Sequence, residues 1–251
     1  MTSFDEHLKT WEQLGQDDPL WAVISDPAKR RRGWGLAEFL ATGTTDVDRY
    51  RGLLQRLACC PGRFRHVLDF GCGVGRLSRC WAAWADQVTG VDVSKAMIEQ
   101  AEAINHDQPK LHFLHNPATD LALLSDRTFD LVFSHICLQH IPWPLAQGYL
   151  IEFARVAAPG GLVTFQLPSR RHPHRLAGTA RKALVDALPF GLDQAYRKWR
   201  HGARAAFEMH YTPMPKVVAA CTRAGLEELL LASDVSAGHF GEGFIYVFRK
   251  D

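Results

Sequence analysis
The chain has no run of about 18 consecutive apolar residues, the length a membrane-spanning helix needs, so no membrane span is expected. It has no C-x-x-C pair. Its cysteines are Cys59, Cys60, Cys72, Cys80, Cys137 and Cys221, two of them adjacent. That pattern reads against a disulfide framework and for reduced thiols in a cytosol, so a cytoplasmic location is expected. No charge of one sign dominates. Against 29 Lys and Arg stand 27 Asp and Glu, a net +2, which leaves no global field to draw nucleic acid or a membrane surface. The opening "MTSFDEHLKTWEQ" offers acids and a mixed face where a secretory leader needs a basic start and an apolar run, so no leader is expected. No repeat and no low-complexity segment interrupts the 251 residues, room for one large domain or two small ones.

Short apolar runs alternating with helical patterns fill the middle of the chain. "HVLDF" (66–70), "QVTGVDV" (87–93), "KLHFLH" (110–115), "FDLVFSHI" (129–136) and "LVTFQLP" (162–168) read as strands. Between them "GRLSRCWAAWA" (75–85), "SKAMIEQAEAIN" (94–105) and "PLAQGYLIEFARVA" (144–157) read as helices, the second with Ser94 as N-cap, and "PGG" (159–161) reads as a turn. Strands and helices at this spacing form βαβ units and a mainly parallel sheet with helices on both faces. The end breaks the rule. "PKVVAACTRAG" (215–225) is helical, and "LEELLLASDV" (226–235) and "GFIYVFRK" (243–250) are joined by a link too short for anything but an antiparallel hairpin. The expected organisation is a helical N-terminal cap (1–60), a core (61–168), a basic insertion (169–212), and a helix and hairpin (213–251) that complete the sheet.

The first strand-to-helix turn carries the chemistry. It reads D-x-G-x-G-x-G: Asp69, Gly71, Gly73, Gly75. A nicotinamide fingerprint, G-x-G-x-x-G/A, needs a small residue where Arg76 stands, and the G-K-[ST] of a P-loop is absent. An acid just before the glycines repels a pyrophosphate and suits a ligand with an ammonium group. Asp92 ends the next strand, roughly 20 residues on, where a carboxylate accepts from ribose hydroxyls. A ribose, a positive charge and no phosphate at the turn describe S-adenosylmethionine.

"VLDFGCGVGRLS", "GVDVSKAMIEQA", "FDLVFSHICLQHIP" and "RVAAPGGLVTFQLP", in this order, resemble the class I S-adenosylmethionine-dependent methyltransferases, in particular the small-molecule type 11 domain. The resemblance covers about residues 61–168, and the hairpin weakly. It implies an α/β, Rossmann-like, seven-stranded, mainly parallel sheet with an antiparallel last strand. It implies that Asp69 and Gly71 hold the methionine end and that Gly73 and Gly75 admit the backbone to the cofactor. Phe70, Cys72 and Met97 belong to the same cofactor set, with Asp92 at the ribose and Val93 against the adenine. Ser134 and His135 should run along the methionine chain. "HNPATDL" has Pro117 where the family often has an acid, so the adenine amino contact falls to Asn116, Ala118 or Asp120, which the sequence does not separate.

Gln139 and His140 follow at the mouth of the site. A histidine that titrates near neutrality suits a general base for a hydroxyl; a helix-cap or packing role is the other reading of His140. The chemistry needs no metal, and "HPH" (172–174) lacks the spacing of a third ligand. The insertion holds nine Arg and Lys, from Arg170 to Arg204, against Asp186, Asp193 and Glu208, a local +6. Placed after the fifth strand, it reads as a lid; its charge either favours an anionic acceptor or is a solvated face. Trp21 and Trp34 fit a cap that closes over the cofactor, or ordinary core packing. The expected activity is methyl transfer to a small molecule, most simply at a hydroxyl oxygen, with N-methylation or an RNA target as alternatives. Against nucleic acid stand the missing N/D-P-P-Y loop and the absence of an RNA-binding module.

Overall fold
A computed structural model describes residues 4–57, 61–171, 209–234, 236 and 241–251. Most of the basic insertion, the H-P-H motif and the Cys59–Cys60 pair therefore lie outside the described residues.

Strands β1 (Phe64–Phe70), β2 (Ala85–Asp92), β3 (Leu111–His115), β4 (Phe129–Ser134), β5 (Ala157–Arg171), β6 (Leu226–Asp234) and β7 (Gly241–Lys250) form one sheet in the order β3-β2-β1-β4-β5-β7-β6. The first five pair in parallel, and β7 runs antiparallel to both β5 and β6. The helices are α1 (Phe4–Asp17), α2 (Pro19–Val23), α3 (Leu36–Arg56), α4 (Arg76–Trp81), α5 (Lys95–Ile104), α6 (Trp143–Val156) and α7 (Met214–Arg223). None of the described helices is long and apolar enough to cross a membrane.

Alternation along the strands divides the core in two. Leu68, Phe70, Val132, Phe165 and Tyr246 face α6 and α7, against Tyr149, Phe153 and Val217. Val67, Val88, Leu131, Phe133 and Val247 face α3 and α4, against Tyr50, Leu54, Leu77 and Trp81. A third, smaller cluster joins α1, α2 and α3 to the glycine turn and α5 through Leu14, Ala22, Phe39, Val74 and Met97. Ser94 caps α5, its side chain accepting from Met97 N at 3.2 Å.

Three elements differ from the sequence expectation. The helix expected over 75–85, α4, stops at Trp81, because Ala85 is drawn into pairing with Phe64, and tertiary pairing overrides the helical propensity of "WAAWA". Pro159-Gly160-Gly161 does not separate helix from strand. It lies inside β5, where the register jumps from Phe129–Ala157 to Leu131–Leu162, so the extra residues bulge out of the ladder. β5 also runs on past Pro168 to Arg171, because β7 offers it a partner as far as Gly241.

Candidate active site
The glycine turn links the end of β1 to α4. Gly71, Gly73 and Gly75 have φ of +74°, +52° and +78°, the left-handed region where a side chain costs about 1–2 kcal/mol. Space excludes a side chain as well. A Cβ on Gly71 would overlap Cys137 Sγ, and a Cβ on Gly73 would lie 2.6 Å from Val23 Cγ2 of α2. The turn is fastened to β2 by Gly71 N and Cys72 N, which both donate to Val91 O.

Two carboxylates flank this turn. Asp69, 1% exposed, accepts from Ser78 Oγ at 2.6 Å. Burial pushes its pKa up to about 6, against the opposing pull of Ser78 and the Arg76 guanidinium. Asp92 accepts from Gly73 N and Ser94 N, both at 2.9 Å, one on each oxygen. Burial raises its pKa too, and those two N–H groups hold it down. Each Asp92 oxygen keeps a second lone pair for a ligand hydroxyl. Phe70 and Met97 turn their side chains into the core, so they offer the site only backbone. Cys72 is buried at the turn, and burial raises its thiol pKa. Asn116 N donates to Asp92 O at 2.8 Å, and its side chain folds the following loop, with Nδ2 donating to Asp120 O and Oδ1 accepting from Ala118 N. The Val93 carbonyl lies 3.2 Å from His115 Nε2.

β4 delivers the next residues through a strained corner. Ile136 has φ +58°, a conformation that β-branched residues rarely adopt and that costs about 1–3 kcal/mol. Before it, Ser134 Oγ donates to Phe70 O, locking β4 to the start of the glycine turn. After it, Cys137 packs on Gly71, and burial raises its thiol pKa with Asp92 and Asp69 adding to the shift. A short 3-10 turn, Leu138–His140, follows. Gln139 is buried, its Nε2 is 3.1 Å from His140 Nε2, and its Oε1 has no partner among the described residues. The half-buried His140 ring meets the edge of Trp11 of α1 at 5.4 Å.

His135 points the other way, toward α3. Tyr50 OH lies 2.9 Å from its Nδ1, and Asp46 Oδ2 lies 3.9 Å from its Nε2. Burial depresses its pKa to about 4, so the ring is neutral at pH 7. Arg76, at the position that rules out the nicotinamide fingerprint, is buried here and donates to Asp46 Oδ2 at 2.6 Å and to Thr42 Oγ1. Tyr50, Asp46 and Thr42 carry no sequence signal, because their partners lie from 30 to 85 residues away. The same holds for Glu12, whose carboxylate accepts from Ser94 Oγ at 2.9 Å and Ala96 N at 3.2 Å and ties α1 to the residues just after Asp92. Among the described residues, no group of three or more His, Cys, Asp or Glu is placed to hold a metal ion. Arg170, of the basic insertion, is paired with Glu242 at 2.8 Å.

Residues 67–161 match a family model described as a methyltransferase domain. The malonyl-[acyl-carrier protein] O-methyltransferase of Salmonella typhimurium is 32% identical over 154 residues, covering 57% of this chain and 58% of that protein. The ubiquinone biosynthesis O-methyltransferase of Albidiferax ferrireducens is 30% identical over 151 residues, covering 59% of each. The chain thus spans under three-fifths of the length of these curated relatives. Among solved structures, magnesium protoporphyrin IX methyltransferase from Synechocystis PCC 6803, with bound SAH, superposes with a TM-score of 0.65 at 18% identity over 97% of each chain, a likeness of fold.

Proposed function
We propose, from the match of residues 67–161 to a methyltransferase-domain model, that the chain is an S-adenosylmethionine-dependent methyltransferase acting at a hydroxyl oxygen of a small-molecule acceptor. The observation that carries this reading is the pair Asp69 and Asp92 on either side of three left-handed glycines. Two carboxylates and a bare backbone suit a ligand with an ammonium group and a ribose, and disfavour a diphosphate. The names of the two curated relatives, both O-methyltransferases, favour oxygen over nitrogen.

When bound, S-adenosylmethionine supplies a methyl group already activated on a sulfonium, open to in-line attack. The chain's own task is alignment and exclusion of water, and holding reactants in attack geometry is worth about 7–11 kcal/mol. Asp92 accepts the ribose hydroxyls, and Asp69 sets a negative potential at the amino-acid end. Ser134 and Cys137 hold β4 against the turn. His140 Nε2 takes the acceptor's proton. The Gln139 carboxamide, 3.1 Å away, must first yield that nitrogen's single lone pair to the acceptor hydroxyl; turned over, its Oε1 is then an acceptor for the new N–H.

Calorimetry with S-adenosylhomocysteine and with NAD tests the reading. Binding of the first and not the second is expected, and the reverse overturns it. In an acceptor panel read by S-adenosylhomocysteine release, His140→Ala should lower turnover by about 10²–10⁴-fold and leave cofactor affinity unchanged. Full activity in that variant removes His140 as the base.

A further inference from the structure
A second polar cluster lies under α3 at the carboxyl end of the sheet. Phe133 pairs with Thr164 and Ser134 with Phe165, so the next step of the β4–β5 ladder brings His135 and Gln166 to the α3 face together. On its other side Gln166 pairs with Ile245 of β7. The nearby Gly243 leaves bare backbone there: a Cβ on it would sit 3.3 Å from Gln166 Nε2 and 3.5 Å from Asp234 Oδ2. The charges of this cluster are already matched, Asp46 by Arg76 at 2.6 Å and Asp234 by Arg49 at 2.7 Å, and Tyr50 is hydrogen-bonded to His135.

Gln166 is the exception. It is 0% exposed, and among the described residues neither its Nε2 nor its Oε1 has a hydrogen-bond partner. Burying a carboxamide with both ends unpaired is costly, and a leucine would fill the same strand position without that cost. The cluster lies level with the carboxyl ends of β4 and β6, on the edge of the sheet where open α/β sheets bind ligands. The 3-10 turn that bears His140 packs on β5 as well.

We propose that Gln166 reads the methyl acceptor, its carboxamide pairing with a neutral group that both donates and accepts, a hydroxyl or an amide, on a small organic molecule. The proposal rests on the methyltransferase reading and narrows its acceptor class. A carboxylate only accepts, so it would leave Gln166 Oε1 facing an anionic oxygen. Both arginines of the cluster are already engaged by aspartates, so among the described residues an anion would find no unmatched cation there.

The test uses the full chain saturated with S-adenosylhomocysteine and titrated with phenol, benzamide and benzoate, as wild type, Gln166→Leu and Gly243→Ala. Phenol or benzamide should bind the wild type and benzoate should not. The neutral probe should bind each variant at least tenfold more weakly, with the affinity for S-adenosylhomocysteine within twofold of wild type. Gln166→Leu should also raise Tm by about 2–4 °C, since it removes two buried unpaired atoms. Equal probe binding in wild type and Gln166→Leu, preference for benzoate, no binding of any probe, or a lowered Tm overturns the proposal; a lowered Tm would mean that a bound water satisfies the amide within the fold. If Gln166→Leu does not fold, Gly243→Ala, which adds one methyl beside the amide, decides the matter. Wild type that fails to bind S-adenosylhomocysteine sinks the methyltransferase reading itself; binding without probe discrimination sinks only the role of Gln166.

Discussion

The two ends of the candidate site are built on opposite plans. At the donor end, β1, β2 and the glycine turn form a self-contained unit. Asp92 is fixed by Gly73 N and Ser94 N, Asp69 by Ser78, and the turn by Val91 O. At the acceptor end, residues from α3, β4, β5, β6 and β7 meet, and the Gln139 and Gln166 carboxamides keep unpaired atoms. The side chains of the donor end are held by bonds within the fold; among the described residues, those of the acceptor end keep buried amide atoms without partners. A cofactor shared by many enzymes needs only the first plan, whereas an acceptor specific to one needs the second.

The contrast can be broken most sharply at Gly71. Gly71→Val demands a left-handed β-branched residue that overlaps Cys137, so a loss of S-adenosylhomocysteine affinity above about 100-fold is expected, with roughly 3 kcal/mol of stability. Calorimetry and urea unfolding measure both. Near-normal binding would show that the turn does not hold the ligand. Asp92→Asn comes next. It leaves one carbonyl oxygen where two charged oxygens each accept a backbone N–H, and affinity should fall about 10–100-fold.

A pH titration gives a smaller, signed effect. The folded pKa of Asp69, about 6, lies above its ordinary 3.8, so its contribution to stability is full below pH 4 and is lost as pH rises through 6, about 3 kcal/mol in all. Asp69→Asn should flatten that slope in denaturant melts. Binding of the sulfonium cofactor should run the other way, weakening by up to about tenfold per pH unit below 6 as Asp69 loses its charge. A flat affinity from pH 7 to 5 would place Asp69 away from the cation. The least change is expected at Glu12. Glu12→Ala removes the tie to Ser94 and Ala96 and should speed S-adenosylhomocysteine release about two- to fivefold, with Glu12→Gln restoring most of the loss because it keeps an acceptor oxygen.

The same contrast explains what the sequence disclosed. The glycine turn and its flanking acids were readable because their requirements are local. Glycines at 71, 73 and 75 answer to backbone angles, Asp69 and Asp92 to strand ends, and Ser94 to a helix start. The mainly parallel core and the hairpin followed from periodicity and link length, and the seven strands with an antiparallel last one from the family resemblance. The acceptor end was not readable. In "LVTFQLP" Gln166 is one polar residue in an apolar run, and only the β4 and β7 registers give it neighbours. His135 stood beside Ser134 in the sequence as a partner along the methionine chain, yet alternation sends it to the opposite face, onto Tyr50. Pro159-Gly160-Gly161 has the composition of a turn, but β5 absorbs it as a bulge.

β7 lies between β5 and β6, so neither has its full set of sheet neighbours until residues 241–250 arrive. The donor end draws its residues, from Asp69 to Met97, from β1, β2 and the segments that follow them, all early in the chain. The acceptor end needs Gly243. Along the chain, therefore, every residue of the proposed cofactor end is placed well before Gly243, on which the proposed choice of acceptor depends.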